Sequence, residues 1–123
     1  MIVADTDVLI DYLHDRGEAE AVEFSLRRGA LRTTVITRFE LLSGAKTAKQ
    51  LARVRQLLDA IPSLDLDDQA ADTASGIRRS LERFGATIGM ADSLIAGIVL
   101  SAGGDLLTRN RRHFERVPGL RLT

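Results

Sequence analysis

Three carboxylic acids stand in this sequence where a solvated charge is out of place. Asp5 follows the apolar run Ile2-Val3-Ala4, Glu40 lies between Phe39 and Leu41 in a short apolar segment, and Asp92 is the one charge in the stretch from Met90 to Ala102. Taking an unpaired carboxylate out of water costs several kcal/mol, so each must meet an arginine, a set of backbone donors or a cation. If all three meet in one crevice they repel one another, and a divalent ion held by carboxylate oxygens at about 2.0 to 2.6 Å removes the repulsion. An ion so held can orient and acidify an attacking water and offset charge developing on substrate oxygens. Each acid also has a plainer reading. Asp5 can cap a helix, Glu40 can pair with Arg38 or another arginine, and Asp92 can sit in a first helical turn against backbone N–H groups. Asp7 and Asp11 read as helix-surface acids, Asp7 favoured by the helix dipole.

Composition narrows the candidate cation. The chain has no cysteine and only two histidines, so magnesium or manganese fits the available oxygen donors better than zinc. His14 follows an amphipathic helix and His113 falls in an arginine-rich loop, and the two do not form a metal-free acid and base pair. Acids and bases balance at 17 each, so no global attraction for nucleic acid exists and local patches must be sought. Between Leu106 and Thr123, Arg109, Arg111, Arg112, Arg116 and Arg121 face Glu115 alone, which reads as a backbone-binding strip or a solvated face. No run of 18 apolar residues occurs and the N-terminus carries acids where a signal peptide needs bases, so a soluble, cytoplasmic protein with no membrane partner is expected.

The elements that must position these residues alternate. Ile2 to Ala4 reads as a buried strand feeding a helix from Asp7 to about His14. A second helical stretch runs from Gly17 to Arg28, followed by a strand from Leu31 to Val35 and a short helix opened by Thr37 and closed by Gly44. Leu51, Val54, Leu58 and Ile61 repeat at helical spacing until Pro62. Ser63 to Leu66 reads as a strand, Asp67-Asp68 as the start of a helix with the stripe Ala70, Ala74, Ile77, Leu81 and Phe84, and Met90 to Ala102 as a helix apolar on every side. Leu106 to Thr108 and Leu120 to Leu122 supply the last strands. With 123 residues and 45% apolar content, one domain over residues 1–123 is predicted. Its class is α/β, a three-layer α/β/α sandwich around a mainly parallel sheet of four to five strands. In such sheets the strand C-terminal ends line one crevice, where Asp5 is placed to meet the other acids.

Four segments in order carry a resemblance: Ile2-Val3-Ala4-Asp5-Thr6-Asp7-Val8-Leu9-Ile10-Asp11, Thr37-Arg38-Phe39-Glu40-Leu41-Leu42-Ser43-Gly44, Ala91-Asp92-Ser93-Leu94-Ile95-Ala96 and Leu107-Thr108-Arg109-Asn110-Arg111-Arg112-His113-Phe114. Together they resemble PIN-domain nucleases, and within them the VapC-like toxins, over essentially the whole chain. The resemblance implies a PIN-like fold and a metal-dependent endoribonuclease using Mg2+ or Mn2+. It makes Asp5, Glu40 and Asp92 the metal-binding acids and puts Asn110 at a fourth catalytic position that takes Asp or Asn in the family. Thr6 and Thr108 match small hydroxyl residues beside the site, and Arg109, Arg111 and Arg112 become candidate substrate contacts, with dimer or antitoxin salt bridges as the alternative. A neutral Asn110 weakens a second metal site, so one ion is expected and a second is left open. The resemblance also implies an RNA substrate, a cognate antitoxin that blocks the cleft, and a homodimer. Two rivals are a PIN-like module that binds RNA or protein without cutting, and a haloacid-dehalogenase-like phosphatase. The phosphatase reading rests on Asp5-Thr6-Asp7, but its late lysine is missing because Lys46 and Lys49 are the only lysines.

Overall fold

A computed structural model describes all 123 residues, Met1–Thr123. In chain order the elements are β1 (Ile2–Ala4), α1 (Thr6–Leu13), α2 (Ala19–Arg27), β2 (Leu31–Thr34), α3 (Val35–Gly44), α4 (Ala48–Asp59), β3 (Ser63–Leu64), α5 (Asp68–Arg83), α6 (Met90–Ala102), β4 (Asp105–Leu107), α7 (Arg111–Phe114) and β5 (Arg121–Leu122). Side-chain caps start several helices. Asp5 accepts from the Thr6 backbone N–H, and Thr34, Thr47 and Asp67 accept from the N–H three residues on, opening α3, α4 and α5.

The five strands form one sheet in the order β3-β2-β1-β4-β5, every pair parallel. Successive side chains of a strand point to opposite faces, and that alternation builds the layers. Ala4 and Leu107 join one core with Val8, Leu9, Val22, Leu41, Val54 and Leu58, beneath α1, α2 and α4. Val3 and Leu106, their immediate neighbours, join a second core with Ile77, Leu81, Ile95, Ala96, Val99 and Phe114, beneath α5, α6 and α7. The predicted three-layer arrangement is therefore present, with five strands.

Several local expectations need correction. The Phe84 position on the α5 stripe continues the helical period, but the chain leaves the helix there and turns at Gly85, so the ring is 78% exposed. Phe39, expected in an apolar environment, is 69% exposed, because residues 37 and 41 rather than 39 face inward on α3. The arginine-rich loop contains the helical turn α7, anchored by fully buried Phe114. No helix is long and apolar enough to cross a membrane.

Candidate active site

The strand order reverses around β1: the chain steps from β1 outward to β2 and β3, then returns to place β4 on the other side. A crevice therefore opens at the C-terminal ends of β1 and β4, the usual ligand position in open parallel sheets. Asp5 leaves β1 and Thr108 leaves β4 at this point. The Thr108 hydroxyl donates to Asp5 Oδ2 at 2.7 Å, joining residues 103 positions apart. Asp5 Oδ1 accepts the Thr6 backbone N–H at 2.8 Å, so the carboxylate is at once the N-cap of α1 and a wall of the crevice.

Asp5 is only 6% exposed. Burial raises its pKa from 3.8 to about 6; the Thr108 hydroxyl counteracts this, the neighbouring Asp7 carboxylate adds to it, the Thr6 N–H counteracts it, and Asp92 adds to it again. The acids of α1 and α6 thus share one electrostatic environment. Glu40, on α3, is half-buried, and its Oε1 accepts the Thr6 hydroxyl at 2.7 Å, while that hydroxyl lies 3.1 Å from the Thr37 hydroxyl. No arginine pairs with it, which sets aside the ion-pair reading with Arg38. Asp92 sits in the first turn of α6 at the edge of the crevice, not deep in the helix, because the helix begins only two residues earlier. Its Oδ2 lies 3.3 Å from both Asn110 Nδ2 and His113 Nδ1, so side chains rather than backbone N–H groups hold it.

Asn110 is the N-cap residue of α7. Its backbone N–H donates to the Thr108 hydroxyl at 3.0 Å, and its amide nitrogen lies 2.9 Å from His113 Nδ1. The structure thus gathers Asp5, Thr6, Glu40, Asp92, Thr108 and Asn110 around one crevice through a chain of hydrogen bonds. No three acidic or histidine side chains lie close enough to hold an ion jointly. The donor set still suits a hard cation: a buried carboxylate of raised proton affinity, crowded by further carboxylates, gains from a positive neighbour. Magnesium ordinarily keeps several waters and needs only one or two direct carboxylates.

The arginines divide. Arg109 is half exposed with its Nε 2.9 Å from buried Asp11, while Arg111 donates to the Thr123 carbonyl at 2.9 Å. Arg112 is exposed. Asp11 corrects an expectation: it is 1% exposed, not a surface acid, and the Arg16 guanidinium also approaches it at 3.7 Å. Asp7, read as a helix-surface acid, accepts the Arg109 backbone N–H at 3.1 and 3.3 Å. Acids at i and i+4 on an amphipathic helix look like surface charge, and their partner lies about a hundred residues away. His113, dismissed for catalysis, stands beside Asp92, and the nearby Asn110 is the signal that could have drawn attention to it. His14 lines a separate groove with Ile10, Leu13 and Val54, and that groove reaches the site only at Glu40.

The family model of the PIN domain matches residues 2–120. The chain belongs to the PIN domain family. This PIN domain is 34% identical over 122 residues to a tRNA(fMet)-specific endonuclease VapC from Salmonella typhimurium, a match covering 96% of this chain and 92% of that protein. It is 30% identical over 116 residues to Ribonuclease VapC1 of Methanocaldococcus jannaschii, covering 94% and 80% of the two chains. The crystal structure of DNA-bound VapBC from Salmonella typhimurium superposes on it with a TM-score of 0.89 at 34% identity, covering 99% and 96% of the chains. The PIN-domain resemblance read from the four segments is borne out, and the fold expected from it is present. The rival phosphatase reading falls with the same observation.

Proposed function

We propose that this PIN domain is a divalent-metal-dependent endoribonuclease and the toxin component of a toxin and antitoxin pair. The nuclease activity accords with the VapC relatives, one named as a tRNA-specific endonuclease and one as a ribonuclease. The antitoxin partner accords with similar chains solved as VapBC complexes. Asp5 carries the metal-dependent part of the reading: a buried carboxylate of raised proton affinity, at the mouth of the β1 and β4 crevice, with two further aspartates adding repulsion.

Asp5, Glu40 and Asp92 would hold Mg2+ or Mn2+, directly or through water. Once bound, the ion supplies Lewis-acid stabilisation of phosphoryl charge and acidifies the attacking water. Thr108 and Thr6 orient the Asp5 and Glu40 carboxylates through the hydrogen bonds described above. Asn110, tied to Asp92, contributes a neutral polar group where a fourth acid would add repulsion. One carboxylate accepts the proton of the attacking water, which leaves a 5′-phosphate and a 3′-hydroxyl. Arg112, exposed beside the crevice, contacts a substrate phosphate. The protein acts as a homodimer.

The test is incubation with a tRNA pool in magnesium, manganese or chelator, comparing wild type with Asp5→Asn and Asp92→Asn and mapping the product ends. Metal-dependent cleavage leaving 5′-phosphates, lost in both variants, is the expected outcome. The second reading, a module that binds without cutting, draws on the carboxylates each being satisfied by a hydroxyl or amide. RNA binding that persists with no metal-dependent cleavage would establish it instead.

A further inference from the structure

Arg109 has three ties to α1, none needed to build the sheet. Its backbone N–H donates to both oxygens of Asp7, at 3.1 and 3.3 Å. Its Nε reaches Asp11 Oδ2 at 2.9 Å, where the acid side chain is 2% exposed and the arginine 52%. Asp11 is itself fixed from behind, since the Glu18 backbone N–H donates to the same Oδ2 at 3.1 Å. The turn at Gly17 closes the pocket around it. Gly17 has a φ of +53°, and a Cβ there would fall 2.3 Å from Asp11 Oδ2, so only glycine lets the chain wrap the carboxylate this tightly. One turn of α1 thus presents two acids, at i and i+4, to the backbone and the side chain of one residue.

The flanking residues give this arrangement its significance. Thr108 precedes Arg109 and bonds Asp5; Asn110 follows it and bonds Asp92. The segment has little else to locate it, because β4 ends at Leu107 and α7 begins at Arg111. We propose that Arg109 is a positioning residue and not a phosphate contact: clasped by Asp7 and Asp11, it holds the β4 to α7 connection against α1 and so sets Thr108 and Asn110 at the Asp5 and Asp92 carboxylates. The catalytic consequence rests on the nuclease reading above; the clasp itself does not. With its Nε committed to a buried carboxylate of α1, Arg109 is tied to that helix, so its loss acts on geometry and not on the capture of RNA.

Arg109→Ala, Arg109→Lys, Asp11→Asn, Asp7→Ala and Asp7→Asn form the test set. It is read by single-turnover cleavage of tRNA with Mn2+, by the salt dependence of RNA affinity without metal, and by amide hydrogen exchange of residues 108–110. Arg109→Ala and Asp11→Asn should each lower the cleavage rate by roughly 10- to 100-fold, the scale of a misplacement near 1 Å, with RNA affinity and its salt slope unchanged. The double variant should be no slower than the slower single, because both break one link. Asp7→Asn, which keeps an acceptor for the Arg109 N–H, should retain exchange protection that Asp7→Ala loses. Weaker RNA binding in Arg109→Ala with a salt slope smaller by about one, a slope kept in Arg109→Lys, and Asp11→Asn indifferent would make Arg109 a phosphate contact and overturn the proposal. Unaltered exchange at residues 108–110 in Asp7→Ala and Asp11→Asn would overturn it as well. If wild type cuts no RNA, the nuclease reading fails while the exchange measurements still decide the clasp.

Discussion

At the scale of single residues, the raised pKa of Asp5 makes a stability prediction whose sign follows from proton linkage. The folded chain protonates Asp5 near pH 6, whereas the unfolded chain does so near 3.8, so folding takes up a proton between those values. Stability from this group is fully present below about pH 3.8, falls as pH rises through 6, and is lower by about 3 kcal/mol above that range. Asp5→Asn, whose oxygen still accepts the Thr6 N–H while its amide nitrogen donates to the Thr108 hydroxyl, should therefore melt higher than wild type at pH 8 in chelator, by several degrees. Melting curves from pH 4 to 8 should show the gain shrinking toward pH 4; a gain independent of pH would mean that charge is not its cause. Glu40→Gln likewise keeps an acceptor for the Thr6 hydroxyl. It should melt within about 0.5 kcal/mol of wild type while cleavage of tRNA falls below detection. Asp5, Glu40 and Asp92 were legible in the sequence because a charge in an apolar context is an anomaly that demands a partner. Asp7, Asp11 and His113 were not, since their surroundings are ordinary in one dimension and only the meeting of α1 with the β4 to α7 connection gives them partners.

At the scale of elements, the most intimate helix pair is α5 on α6, and Gly97 sits at its closest approach. A Cβ at Gly97 would lie 2.6 Å from the Ala74 Cβ and 2.8 Å from the Ala70 carbonyl oxygen. Backbone cannot yield there as a flexible side chain would, so Gly97→Ala should destabilise the domain by about 3 kcal/mol. Urea denaturation would read this as a lower midpoint with an unchanged slope. The position matters beyond stability, because α6 carries Asp92 in its first turn and its seating on α5 fixes where that turn reaches the crevice. Helix identities could be read from the sequence where cap and apolar periodicity agree, as with Asp67 opening α5 ahead of the stripe Ala70, Ala74, Ile77 and Leu81. α7 escaped because its four residues offer one apolar anchor, Phe114, and no period. β3 and β5 are two residues each, shorter than the four and three expected, since only part of each alternating run pairs with a neighbour.

Across the whole molecule the arginine excess near the C-terminus is largely committed to internal contacts. Arg109 pairs with Asp11, Arg121 with Asp105, Arg111 meets the Thr123 carbonyl and Arg116 the Thr87 carbonyl. Arg112 remains exposed and is the member of the group suited to a phosphate. Arg112→Ala should weaken RNA binding several-fold and reduce the salt slope of the affinity by about one while leaving the single-turnover rate unchanged, measured by titration at several salt concentrations. An unchanged slope would assign RNA capture elsewhere. Layer architecture was readable from the alternation of strands and helices, but strand order was not, because pairing β1 with β4 depends on contacts between residues about a hundred positions apart. That pairing also governs when the site can form. Asp5 stands more than a hundred residues ahead of Thr108 and Asn110, and without β4 the first strand lacks a neighbour on that side. Until the later strand docks, the Asp5 carboxylate lacks the Thr108 hydroxyl and Asp92 lacks the Asn110 amide, so the crevice is assembled only when these distant segments meet.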